Sequence, residues 1–471
     1  MYKKIKNYSE MNEDTNLEKV GLFVVGHESP TYIRLLSTFD FLSDSFDVYL
    51  IDVTKEEEID KVFNDLKNDS CLLDIIIVQR DAFISQEFIT LLFKKSKLLR
   101  IKVIYEIDDD LLNIDKSHKA YNYYSKKQPC IRYLIKNANI VTVSTENLKN
   151  KLCGLNNNIF VVPNVLTDDW NVKVNKRSHS SDIIKIGYMG THSHKEDLKL
   201  IKDVIIHLKE YFLNKKNKKI IFELIGGTVD KLDWADKLPI PKDSTLYPDF
   251  VKFLKQTDWD IAIAPLEDNN INSSKSPLKY IEYSGLGVPG VYSDIGPYKE
   301  CIRDGENGLL VQDNDVENWK NNIIKLIENK NLRLEIVENA KTDIDENFSN
   351  KKAISCWKSI LNLAKRDKNL MVYKLWEDYR KSNLGISFID FLQKNSYNII
   401  KDSGLFDEKW YLNEYEDVKQ YDGDPINHFL KLGYYEKCNP SELINLDDYE
   451  IEKSFITKDI NKLIFYILYL N

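Results

Sequence analysis

One rhythm constrains this chain more than any other feature. Short apolar runs rich in β-branched residues alternate with helix-length amphipathic stretches, and the pattern occurs twice. The first series is Val20–Val25, Phe46–Ile51, Leu73–Gln79, Ile101–Ile107 and Ile140–Ser144. The second is Ile183–Tyr188, Ile220–Ile225, Ile261–Ala264, Gly290–Tyr292 and Gly308–Val311. Near-continuous apolar character indicates parallel strands buried on both faces. The spacers, such as Ser85–Leu99, Glu196–Asn214 and Val316–Glu328, have the length and patterning of crossover helices. The expected class is α/β, with two doubly wound, Rossmann-like parallel-sheet domains facing a cleft.

Boundaries follow from changes in this pattern. Residues 1–17 are polar and read as a flexible tail. Residues 18–168 form the first domain, closed by one more strand at Ile159–Asn164. The stretch Asp168–Ser181 lacks periodicity and reads as a linker into the second domain, 169–350. Residues 351–371 read as a helix returning toward the first domain. In 372–471 the strand signal is gone and aromatics gather, among them Phe406, Trp410, Tyr411, Tyr415, Phe429, Tyr434 and Tyr435. That segment reads as a small helical accessory module whose aromatics form its core.

Composition removes several functions. Across 471 residues, 66 Lys and Arg stand against 74 Asp and Glu, a formal net charge of -8. A nucleic-acid binder needs a dominant basic face, so none is expected. The hydrophobic share of 43% excludes a wholly disordered chain. The six cysteines form no CxxC pair and no metal-ligand rhythm, and read as reduced thiols of a cytoplasmic protein. The first residues lack the apolar stretch of a secretory signal, and no apolar run is long enough to span a bilayer. The basic run Lys94–Arg100 offers peripheral contact with the inner face of a membrane, or else is a solvated helix face. The apolar end Leu463–Leu470 packs on its own module or inserts peripherally.

Open α/β sheets bind ligands at the carboxyl ends of their strands, so the loops there hold the candidates. After the first strand come Gly26-His27-Glu28-Ser29-Pro30 and then Arg34. His27 or Arg34 faces the cleft, or the segment is an ordinary strand-to-helix turn without a dinucleotide fingerprint. Arg80 ends another strand and contacts an anionic ligand or a local carboxylate. Asp108-Asp109-Asp110 follows Ile107. Three clustered carboxylates suit a hard cation, a turn brace, or one group facing an acceptor. Ser144 or Thr145 reads as the N-cap of a helix near Glu146.

The second half offers a phosphate-binding pattern. Tyr188-Met189-Gly190-Thr191-His192-Ser193-His194 runs from a strand into a helix start, where backbone N–H groups cradle anions. His194 or Lys195 adds charge there. The turn-rich loop Asn269–Ser274 precedes Lys275 and then Ser276-Pro277, read as N-cap and first helical residue. Lys279 and Glu282 lie three apart on one face of that helix. The helix stops at Gly285 or Gly287. Lysines at a positive helix end suit a diphosphate, and Glu282 can accept hydrogen bonds from a diol. The plain alternative is a surface Lys–Glu pair.

These residues carry a resemblance. Lys275-Ser276-Pro277-Leu278-Lys279-Tyr280-Ile281-Glu282, continuing through Gly285, Gly287, Pro289, Ser293 and Gly305-Glu306-Asn307-Gly308, resembles the donor-binding half of GT-B glycosyltransferases. The group is the large retaining one called family 4. Tyr105–Asp110, Thr142–Glu146, Pro163-Asn164 and Gly190–Asp197 also look like bacterial surface-glycan transferases of this group. The resemblance covers roughly residues 19–365, and the tail resembles a module appended to some bacterial glycosyltransferases. It implies an activated sugar, a UDP-, GDP- or dTDP-sugar, bound by the second half, with Glu282 on the ribose. It implies retention and no cofactor or metal. Lys275 and Lys279 match the diphosphate ligands, with Gly190 and Thr191 lending backbone donors. The family's glutamate eight positions before Glu282 is Ser274 here, a departure at the donor sugar. Asn272, Ser274 and Ser276 complete the expected donor site with His194. Asp108, Asp109 and His27 are the catalytic candidates on the acceptor side.

The expected activity is transfer of a sugar from a nucleotide diphosphate to a bacterial surface glycan, a lipid-linked glycan or a protein. The alternatives are a non-catalytic GT-B partner in a glycosylation complex, motivated by Ser274 and the added tail, and a sugar-nucleotide epimerase.

Overall fold

A computed structural model describes residues 4–11, 17–68, 70–83, 85–99, 101–114, 116, 120–171, 182–190, 195–226, 234–242, 244, 246–364, 379, 388–403, 405–415, 418, 424–433, 435–441 and 463–464. The β-branched runs of the first series pair as expected. β1 (Lys6–Asn7), β2 (Lys19–Val24), β3 (Asp47–Asp52), β4 (Ile75–Gln79), β5 (Lys102–Ile107), β6 (Ile140–Val143) and β7 (Ile159–Val161) form one parallel sheet in the order β1-β3-β2-β4-β5-β6-β7. Every residue of β2, β3, β4 and β6 is buried, which is why these strands read as unbroken apolar runs. From β2 the chain winds first to one side and then to the other, which opens a crevice at the carboxyl ends of β2 and β4.

β1 was not legible in the sequence. Lys6 and Asn7 pair with Tyr49 and Leu50, and Tyr8 is buried, inside the stretch read as a loose tail. Two polar residues carry no strand period; the edge of the sheet and the Lys6–Asp47 ion pair at 2.6 Å hold them.

The second sheet contains β8 (Ile183–Gly190), β9 (Lys219–Gly226), β10 (Asp236–Leu238), β11 (Ile261–Ala264), β12 (Gly290–Ser293) and β13 (Leu309–Val311), in the order β10-β9-β8-β11-β12-β13. It is parallel throughout and winds the same way from β8, so a second crevice opens at the carboxyl ends of β8 and β11. Gly187 is needed in β8 because the Trp259 ring lies against it: a Cβ there would meet the indole at 1.9 Å. β10 escaped sequence reading, since Asp236–Leu238 is exposed and short.

Residues 1–59, 73–89 and 101–365 form one compact unit that contains both sheets. Within it the helix Asn350–Ala364 packs Trp357 edge-on against Phe39 at 5.0 Å, beside the core of the first sheet. The second unit comprises 60–72, 90–100 and 366–471. Its short helices include Glu408–Glu414 and Pro425–His428, capped by Asp407 and Asp424. Tyr411 is fully buried there among Phe406, Tyr415 and Phe429, and its hydroxyl meets His428 Nδ1 at 3.1 Å. Tyr434 of the tail lies outside the described residues. Among the described residues no helix is long and apolar enough to cross a membrane. The basic run in 94–100 lies on the helix Gln86–Leu99, with Lys94 and Lys97 exposed and Ser96 and Leu99 buried.

Candidate active site

The site grows from the loop after β11. The strand ends at Ala264, just before Pro265, and Asn269 Oδ1 accepts from the N–H groups of Ile271 and Asn272 at 3.1 and 2.9 Å. Asn272 in turn donates to the carbonyl of Glu267 at 2.9 Å. This Asx-type bracing bends the chain into a short 3-10 turn, Asn272–Ser274, ahead of the helix Leu278–Gly285. Gly287, at φ +67°, supplies the left-handed turn that releases the chain toward β12.

The expected start of that helix needs one correction. Pro277 occupies the N-cap position, with no side-chain capping bond, and the first helical residue is Leu278. Ser276 is not the cap. Its hydroxyl accepts a 2.6 Å hydrogen bond from Asn164 Nδ2 instead.

Glu282 is 5% exposed. Tyr247 donates its hydroxyl to Glu282 Oε1 at 2.8 Å, and Trp170 Nε1 donates to Tyr247 at 3.3 Å. Burial pushes the Glu282 carboxyl up from 4.5 to about 7, against the opposing pull of the Tyr247 bond and the Lys279 charge. One turn earlier the half-buried Lys279 holds its ammonium 5.6 Å from the Tyr188 ring centroid. Burial, aided by the like charge of Lys275, pushes that ammonium down from 10.5 to about 8. The carboxyl shifted up and the ammonium shifted down lie one helical turn apart on one face of this helix.

Gly190 ends β8, where a Cβ would meet the Tyr188 hydroxyl at 2.7 Å. Thr191 and His194 lie outside the described residues. Lys275 is half-buried beside the 3-10 turn. Ser274 is 0% exposed, its Oγ has no hydrogen-bond partner, and its carbonyl accepts from Thr145 Oγ1 at 3.0 Å. Thr145 also caps the helix Glu146–Leu152 by accepting from Leu148 N at 3.2 Å.

On the side of the first sheet, His27 follows Gly26, whose φ of +59° makes the turn and whose N–H donates to Asp52 at 3.0 Å. His27 is half-buried there. Arg34 does not face a cleft. It is 2% exposed and locked to the fully buried Glu106 at 2.8 Å. Arg80 takes the ion-pair alternative: its guanidinium pairs with Asp108, and with Asp109 at 3.2 Å, and donates to Tyr124 at 3.2 Å. Burial raises the Asp108 carboxyl, although Arg80 pulls the other way. Asp109 stays half-exposed. Asp110 accepts from Asn113 at 3.0 Å and pairs with Lys151 at 3.4 Å. Lys151 also donates to Ser273 Oγ at 3.3 Å, so the aspartate loop and the Asn269–Ser274 loop share one lysine. Among the described residues no group of three His, Cys, Asp or Glu side chains is arranged to hold a metal.

Two participants escaped the sequence reading. Tyr247 stands far from its partner in the chain, and only the Tyr-Pro step at a helix start marks it. The pairing of Asn164 with Ser276 spans 112 residues and leaves no local signature.

Comparison with known proteins bears on this site. Residues 171–343 match the family described as glycosyl transferases group 1. An uncharacterised glycosyltransferase of Methanocaldococcus jannaschii is 27% identical over 312 residues, 60% of this chain and 74% of that protein. Sucrose-phosphate synthase from Thermosynechococcus elongatus superposes with a TM-score of 0.53 and 12% identity over 74% of this chain and 99% of that one, a likeness of fold. S. aureus TarM gives a TM-score of 0.44 and 19% identity over 62% of this chain, which spans 55% of the TarM chain. The two parallel sheets share the GT-B fold, and with the archaeal relative and the glycosyl transferases group 1 region at residues 171–343 they support a GT-B glycosyltransferase.

Proposed function

We propose that this glycosyltransferase moves a sugar from a nucleotide-diphosphate sugar to a surface-glycan, lipid-linked glycan or protein acceptor, with retention and without a metal. The observation that carries this reading is Glu282, buried, held by Tyr247, with Lys279 one helical turn away. The ionised Glu282 accepts from a ribose diol. Lys275 and Lys279 stand against the diphosphate, with the backbone of Gly190 as a further donor and Ser274 Oγ toward the sugar. In the reaction the anomeric C–O bond to the diphosphate breaks, and its electron pair leaves with the phosphate. The lysines neutralise that charge as it develops, the work a metal ion does elsewhere. The acceptor oxygen bonds to the anomeric carbon. Its proton goes to a base, for which Asp109 and His27 are the candidates on this chain.

The test is release of nucleoside diphosphate from a panel of nucleotide sugars by the wild type and by Glu282→Gln, read by mass spectrometry. The reading expects one sugar nucleotide to be consumed by the wild type and turnover to be largely lost in the variant. Equal turnover by both proteins would remove Glu282 from the site.

A further inference from the structure

The entry to the donor helix is not held by its own cap. Its N-cap is Pro277, which offers no side-chain acceptor, and the hydroxyl of Ser276 points away to Asn164. Asn164 is buried, and its amide orientation is fixed by its other neighbour. Arg34 Nη1 donates to Asn164 Oδ1 at 3.0 Å. A guanidinium can only donate, so Oδ1 must face Arg34 and Nδ2 must face Ser276.

Arg34 is itself immobilised. Its Nε donates to Glu106 Oε1 at 2.8 Å, and Nη1 also donates to the carbonyl of Val162. A fully buried ion pair contributes little net stability, because desolvation offsets the attraction, but removing one partner is costly. Its worth lies in geometry. Here it seats on β5 of the first sheet and aims one amide at the start of the helix that bears Lys279 and Glu282. The two residues just ahead are gripped from the same side: Thr145 bonds the Ser274 carbonyl at 3.0 Å and Asn147 the Ser273 carbonyl at 3.0 Å.

We propose that Asn164, seated on the buried Arg34–Glu106 pair, is a positioning residue for the donor site and acts through the Ser276 hydroxyl on the first turn of the Leu278–Gly285 helix. It contacts no substrate. It pre-organises the helix, so that donor binding does not have to order it. The consequence for the donor rests on the function proposed above; the positioning itself does not.

The experiment has two readouts on the full chain. Amide exchange across Leu278–Gly285 without ligand, in Asn164→Ala, Ser276→Ala and the double variant, reads the positioning. Donor KM and kcat read its consequence. We expect exchange in this helix to quicken about tenfold in each single variant, the loss of one buried hydrogen bond. We expect donor KM to rise by a similar factor with a smaller change in kcat, and the double variant to match the singles. Additive effects, or unchanged exchange, would overturn the proposal. Faster exchange with unaltered donor KM would overturn it as well. Faster exchange in the variants, with a wild type that consumes no sugar nucleotide, would uphold the positioning and defeat the proposed donor.

Discussion

Tyr247 donates its phenol to Glu282 Oε1 at 2.8 Å, and both residues are buried. The bond favours the ionised carboxylate, which burial alone would disfavour. Tyr247→Phe removes it. The acid limb of the donor-affinity profile should then move up by about one pH unit, the worth of one hydrogen bond to a charged group. Calorimetric titrations between pH 6 and 9 check this, and an unmoved acid limb contradicts it.

Donor affinity should peak in a narrow window. Glu282 in the free protein is raised to about 7, so below that pH it holds a proton that it must release to accept from the ribose. Affinity therefore falls as pH drops through about 7. Lys279 is lowered to about 8, so above that pH it must take up a proton to face the diphosphate. Affinity therefore falls again as pH climbs past about 8. Calorimetry in two buffers of different ionisation enthalpy should show proton release at pH 6 and proton uptake at pH 9. The same sign at both would contradict the assignment.

The three aspartates are engaged by cations of the chain, Asp108 and Asp109 by Arg80 and Asp110 by Lys151. Turnover should persist in excess EDTA. Asp109→Ala should raise the acceptor KM and leave donor affinity unchanged. Complete loss in EDTA, restored by a divalent cation, would contradict the first statement, and weakened donor binding by Asp109→Ala the second.

Gly187→Ala forces a methyl against Trp259, whose ring is itself anchored by a 2.8 Å bond from Nε1 to Glu223. The added methyl and the indole cannot both keep their places, so the substitution should cost about 1–3 kcal/mol. Urea unfolding measures it, and wild-type stability would show that the indole moves freely.

The legible part of this protein was the part that repeats. Runs such as Ile75–Gln79 and Ile261–Ala264 are apolar because both faces are covered, and that shows in a sequence without help. The helix with Lys279 and Glu282 was legible for a similar reason, since local spacing puts both on one face. What stayed hidden depends on distance along the chain. Tyr247 meets Glu282 across 35 residues and Asn164 meets Ser276 across 112. Ser276 is the instructive case. Ser-Pro ahead of a helix satisfies every local rule for a cap, yet a stronger tertiary partner claims the hydroxyl and the helix begins at Leu278.

The most direct measurement is calorimetric titration of the wild type and of Glu282→Ala with UDP, GDP and dTDP, with circular dichroism to confirm that the variant is folded. The account predicts that one of the three binds the wild type and binds the variant roughly 10- to 100-fold more weakly, the loss of charged-group hydrogen bonds. Equal binding to both folded proteins would contradict it.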